Sequence, residues 1–120
     1  MEANVIKDKS FAFALRIVRL YQFLCEQKRE FVISKQLLRS GTAVGALVRE
    51  AEQAESKADF IHKMAIALKE ANESEYWLDL LHQSAYLDDK NYHSIADDIK
   101  CLLKLLTSII KTSKTTIKVP

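Results

Sequence analysis

Apolar residues recur along this chain at intervals of three and four, in four long runs separated by short polar breaks. That spacing is one face of an α-helix and not the alternation of a strand. In the first run, predicted over about 10–29, Phe11, Ala14, Leu15, Val18, Tyr21 and Cys25 form one stripe, and Phe13, Ile17, Leu20 and Leu24 form a second. Ser10 is its expected cap. A surface helix normally buries one stripe and leaves the opposite face polar, so the extra stripe predicts a further surface to be covered. The second run, over 33–54 with Ser34 as cap, carries Leu37, Leu38, Val44, Leu47, Val48 and Ala51. The third, over 57–87, starts at a box-like Ser56-x-x-Asp59. Its seam of Phe60, Met64, Ala67, Ala71, Ser74, Leu78, Leu81 and Ala85 suits left-handed bundle packing. The fourth, over 91–113 with Asn91 as cap, presents Tyr92, Ile95, Ile99, Leu102, Leu106 and Ile109. Short links between such helices predict an all-α, antiparallel up-down-up-down four-helix bundle, in one domain over 1–120 with a short basic C-terminal tail.

Both glycines of the chain fall inside the second predicted helix, at Gly41 and Gly45. A helical glycine costs about 1 kcal/mol relative to alanine, which implies a face stripped for close packing. Ala67, Ala71 and Ser74 make the centre of the third helix similarly small. The expectation is that helices two and three approach closely at mid-height, with Gly45 near Ala67 or Ala71. Gly41 and Gly45 also spell the G-x-x-x-G of dimerising membrane helices. No apolar run approaches the ~18 residues of a membrane span, so the motif reads as intramolecular packing.

The chain has 120 residues, 48% of them apolar and 28% charged, the balance of a globular protein. Its start, MEANVIKDKS, does not resemble a secretory signal, and the expected location is the cytoplasm, with no membrane partner. Cys25 and Cys101 lack C-x-x-C spacing and read as reduced core thiols. Asp59 with His62 and Asp79 with His82 each form D-x-x-H, but the pairs lie twenty residues apart and no E-x-x-H completes either. They read as solvated helix-face pairs, and His93 beside Tyr92 adds nothing. No serine or cysteine has a recognisable base and orienting acid, and there is no phosphate-cradling loop. No catalysis, metal, cofactor or small-molecule substrate is expected. Lys69, Glu70, Asn72, Glu73 and Glu75 surround the small centre of helix three, and Arg39, Thr42, Arg49 and Glu50 flank the glycines. Two readings stay open there: a buried network, or surface pairs within each helix. Tyr76 and Trp77 read as core or interface packing before base stacking.

The stretch RSGTAVGALVREAEQAESKADF (39–60), with IALKEANESEYWLDLL (66–81), resembles the four helix bundle protein family, which includes proteins encoded in intervening sequences of bacterial 23S ribosomal RNA genes. The resemblance covers about Phe11 to Ser113. It departs at Leu47, where the family commonly has asparagine after Gly-Ala. It implies a helical bundle, and the family has no generally established activity. Through its relatives, among them the accessory variability determinant of diversity-generating retroelements, it also implies a homo-oligomer, a pentamer, working beside RNA or a nucleoprotein.

The net charge is only +2, but nine Lys/Arg face five Asp/Glu in residues 1–50, five face eleven in 51–100, and four face none in 101–120. Neighbouring helices can neutralise one another, or the excess can make a basic face. On the second reading Arg16, Arg19, Lys28, Arg29, Lys35, Lys111, Lys114 and Lys118 are the candidate nucleic-acid contacts. The function expected is a non-catalytic, oligomeric scaffold or adaptor for RNA or a nucleoprotein. The alternative is a purely protein-binding module, with its specificity in the extra apolar stripe of helix one.

Overall fold

Four helices, α1 (Glu2–Glu26), α2 (Ile33–Glu52), α3 (Lys57–Gln83) and α4 (Asp89–Ile117), account for nearly all of residues 2–117, which the computed structural model describes, with side chains over 4–115. Ion pairs across the seams set their directions. Lys7 meets Glu52 at 3.4 Å and Lys63 meets Glu50 at 3.2 Å, so α2 runs against both α1 and α3. His82 meets Asp89 at 2.7 Å and Arg16 meets Asp98 at 2.6 Å, so α4 runs against α3 and α1. Each helix packs on its sequence neighbours, and α1 closes the ring against α4. The result is the expected antiparallel four-helix bundle, 55 × 22 × 20 Å.

Helix ends depart from the sequence reading for local reasons. Helix α1 starts at Glu2 and not at Ser10. Ile6 extends the stripe of Phe13, Ile17 and Leu24 one further step of seven, and its complete burial holds the extra turns. Ser10 is therefore buried mid-helix, its hydroxyl donating to the Lys7 carbonyl at 3.1 Å. Ser34 does not cap α2 either. The buried Glu30 carboxylate accepts from the backbone N–H groups of Val32, Ile33 and Ser34 at 3.1, 2.9 and 2.7 Å, satisfying donors that the first helical turn leaves open. Ser56 does cap α3, accepting from Asp59 N–H at 3.0 Å. Helix α3 stops at Gln83 and not at residue 87, because Ala85 turns left-handed at φ 68°. The Tyr86 N–H then reaches the Leu81 carbonyl and the Ala85 N–H reaches that of His82, at 2.9 and 3.1 Å, which closes the helix end. Helix α4 starts at Asp89, and Asp88 takes the capping role expected of Asn91, accepting from its N–H at 2.8 Å.

The core takes Phe13, Ile17 and Leu24 from α1, Leu37 and Val44 from α2, Met64, Leu78 and Leu81 from α3, and Ile99, Leu102 and Leu106 from α4. The other stripe of α1 faces outward, with Phe11 50%, Leu15 43% and Val18 38% exposed.

The glycines do not meet α3. A Cβ on Gly41 would lie 2.8 Å from the Ile17 side chain, and one on Gly45 would lie 3.4 Å from the Ser10 carbonyl, so both serve the approach of α1 to α2. Ala67, Ala71 and Ser74 are buried, and the α2–α3 seam is bridged beneath its surface by the Ser40 and Ser74 hydroxyls, 2.9 Å apart.

Candidate functional site

The antiparallel arrangement divides the candidate cations. Lys28, Arg29 and Lys35 surround the α1–α2 link at one end of the bundle. Lys111 lies 22 residues beyond the start of α4, about 33 Å away along the axis, with Lys114 further still. Lys118 lies outside the described residues. Arg16 and Arg19 sit between the two groups, on α1. The eight positions therefore make no single patch.

One group does converge. Along the α1–α4 seam a groove of about 280 Å³ is floored by Leu20, Leu87 and Ile95, walled by Phe23, and edged by Arg16, Arg19 and Asn91. Phe23 is 39% exposed, although the α1 periodicity left it out of both stripes. Arg16 is fixed in place: it donates to the Asp98 carboxylate at 2.6 Å and to the Ser94 hydroxyl at 3.0 Å. Arg19 is exposed and makes no ion pair among the described residues. The groove continues past Phe23, Leu87 and Asn91 towards Lys28, His82 and Tyr86.

That end of the bundle holds an aromatic cluster that sequence reasoning missed. The His82 ring stacks on Tyr92 with centroids 3.9 Å apart and planes 3° from parallel, and His93 meets Tyr92 edge-on. His82 and Asp79 are thus not a solvated pair. Asp79 accepts from the Tyr92 hydroxyl at 2.5 Å, and His82 contacts Asp89 across the turn. The bond to Asp79, with burial adding to it, pushes the Tyr92 phenol up to about 12. The contact with His82 holds the Asp89 carboxyl below its usual range. Tyr92-His93 at a helix start, one turn of chain beyond His82 at the end of the preceding helix, was the available signal; only the turn geometry turns it into a stack.

The charged residues of α2 and α3 form no buried network among the described residues, and their ion pairs run between the helices and not within one. They bridge the two helices at half-exposed positions. Arg39 reaches Glu70 at 3.3 Å and pairs with Glu73, which also accepts from the Trp77 indole N–H at 3.1 Å. Bonds from Trp77, then from Arg39, hold the Glu73 carboxyl low against the opposing effect of burial. Tyr76, 58% exposed, packs edge-on against Trp77. Leu47, where the family commonly has asparagine, packs against the core. The two cysteines are free and half-buried at different heights, Cys25 beside Ser34 and Cys101 in a small groove with Lys9 and Asp98. No helix among the described residues is long and apolar enough to cross a membrane.

A family model described as 23S rRNA-intervening sequence protein matches residues 2–108. A solved structure from Bacteroides thetaiotaomicron, of a protein of unknown function from the S23 ribosomal protein family, is similar over 92% of this chain and 99% of its own, at 60% identity and a TM-score of 0.91. No curated protein matches the chain.

Proposed function

The chain belongs to the 23S rRNA-intervening sequence protein family, and we propose that it is a non-catalytic, self-associating scaffold that engages RNA in the cytoplasm. The observation that carries this reading is the outward surface of α1. Phe11, Leu15 and Val18 lie exposed at helical spacing, the Arg49 guanidinium standing 5.1 Å from the Phe11 ring, and Arg19 borders them where it lines the α1–α4 groove. An apolar stripe of that kind supports coverage by another copy, with five copies as the expected order. Closed symmetry would then repeat each copy's few unpaired cations around an axis and build a multivalent field from a weak local excess.

Light scattering coupled to size exclusion tests the assembly, which should run at several times 13.7 kDa. A clean monomer at micromolar concentration sinks it. Binding to RNA should be tolerant of sequence and should weaken steeply with salt, the slope reporting the phosphates contacted. The second reading, a purely protein-binding adaptor, is favoured by the separation of the basic groups between the two bundle ends and by the internal pairing of Arg39. An intact assembly that binds no RNA at low salt would select it.

A further inference from the structure

We infer that the α1–α4 groove receives an unpaired nucleobase of single-stranded RNA, with Phe23 as the stacking wall and Arg19 and Lys28 as the phosphate contacts on either side. The inference rests on the RNA reading above and gives that reading a site and a strand preference.

The argument starts from what each lining group can do. Phe23 presents an aromatic ring, 39% exposed, to the groove where a large apolar side chain would otherwise be withdrawn into the core. Leu20, Leu87 and Ile95 give the ring an apolar floor. A planar heterocycle that left water here would lose little, because its faces need apolar contact and only its edge needs hydrogen bonds. Asn91 supplies such an edge partner. Its side-chain amide both donates and accepts, and it makes no hydrogen bond among the described residues.

Charge complementarity selects the occupant. Arg16 and Arg19 line the groove beside Phe23, and no acidic residue does. Arg16 is largely neutralised by Asp98, so its part is to shape the rim. Arg19 lies one helical turn, about 6 Å, before Phe23, and Lys28 lines the continuation on the far side. Asp88 and Asp89 also line that continuation, but Asp88 is engaged in capping α4 and Asp89 in contact with His82. The groove beside the ring is thus positive, through Arg19, and its continuation sets Lys28 near the Asp88 carboxylate, whose charge is turned to the start of α4. A cation, an aromatic ring and a second cation in a groove is the arrangement by which single strands are held without sequence readout. A duplex cannot use it, because its bases are stacked and paired inside. A poly-glutamate chain meets the cations but has no planar face to offer Phe23.

The test is fluorescence anisotropy of the full chain with a labelled, unstructured uridine-rich oligoribonucleotide at low salt. The single strand should bind more tightly than a duplex of equal length. Phe23→Ala should weaken single-strand binding by about tenfold or more and Phe23→Trp should preserve it, since stacking needs only a π-face. Arg19→Gln should reduce the salt slope by about one. Phe23 and Arg19 are exposed on one helix, so circular dichroism will show all three variants folded. If the wild type binds RNA and Phe23→Ala binds it equally well, or poly-glutamate displaces it as effectively as a second RNA, the groove assignment falls and the RNA reading stands. If the wild type binds no RNA, both fall.

Discussion

Gly41 and Gly45 sit one turn apart on α2 and face different constraints. A Cβ on Gly41 would press on Ile17, which is fully buried and β-branched, so it has no alternative rotamer to escape into. Gly41→Ala is expected to destabilise the protein, since overpacking of about 1–3 kcal/mol outweighs the ~1 kcal/mol gained in helix propensity. Gly45→Ala places its methyl in ordinary contact with Ser10, and should stabilise by up to about 1 kcal/mol. Urea denaturation of the pair would refute the assignment if both shifts had the same sign. The chain also inverts the usual use of glycine, for the left-handed position that ends α3 is occupied by Ala85. Ala85→Gly should therefore raise stability by about 1 kcal/mol, visible as a higher melting temperature. Glu30 gives a pH dependence. Burial alone would raise its carboxyl, but the N–H bonds from Ile33, Ser34 and Val32 outweigh that and hold it below the ordinary range. A lowered folded-state value means that its stabilisation is complete above the unfolded value near 4.5 and is lost as pH falls through the folded one. Glu30→Gln should flatten that acid limb in pH-dependent unfolding, and a limb of unchanged steepness would refute the role. Residue spacing revealed that the glycines serve close packing, because helix propensity makes them costly without a cause. It did not reveal their partner, since periodicity fixes a direction about one helix axis and not what lies there.

The two layers of the α2–α3 seam should respond to different perturbations. Arg39 with Glu70 and Glu73 is half-exposed, so the pairs contribute at most about 1 kcal/mol and are screened by salt. Beneath them the Ser40–Ser74 contact is fully buried, and removing one hydroxyl should cost about 1 kcal/mol by leaving its partner short of a bond. We expect the loss on Arg39→Ala to vanish in high salt and the loss on Ser74→Ala to persist, as measured by chemical denaturation at two ionic strengths. Equal salt dependence would contradict the layering. Helix number, order and core faces were legible because four uninterrupted 3.6-residue periods admit few alternatives. Helix ends were less so. Ser10 and Ser34 have the side chain of a cap, yet Ile6 carries α1 past the first and Glu30, four residues upstream, displaces the second.

Across the whole molecule, the candidate cations were legible as residues and not as a site, because their grouping depends on which helix ends share a bundle end. Phe23 escaped notice for a related reason: it belongs to no stripe, and its exposure acquires meaning only where α4 comes alongside. The α1–α4 seam differs from the other three in one further respect. Those join consecutive helices, whereas Arg16 reaches Asp98 across 82 residues of chain. Closing so long a loop has its entropy cost before any contact rewards it, so this seam should assemble after the others. Asp98→Ala is then expected to speed unfolding and leave the folding rate nearly unchanged in stopped-flow kinetics, and a slowed folding rate would refute that order. The last surface to form is also the one that holds the groove. A strand lodged there would touch both ends of the chain's longest closure and act as a latch, prolonging the folded lifetime of each copy for as long as it stays bound.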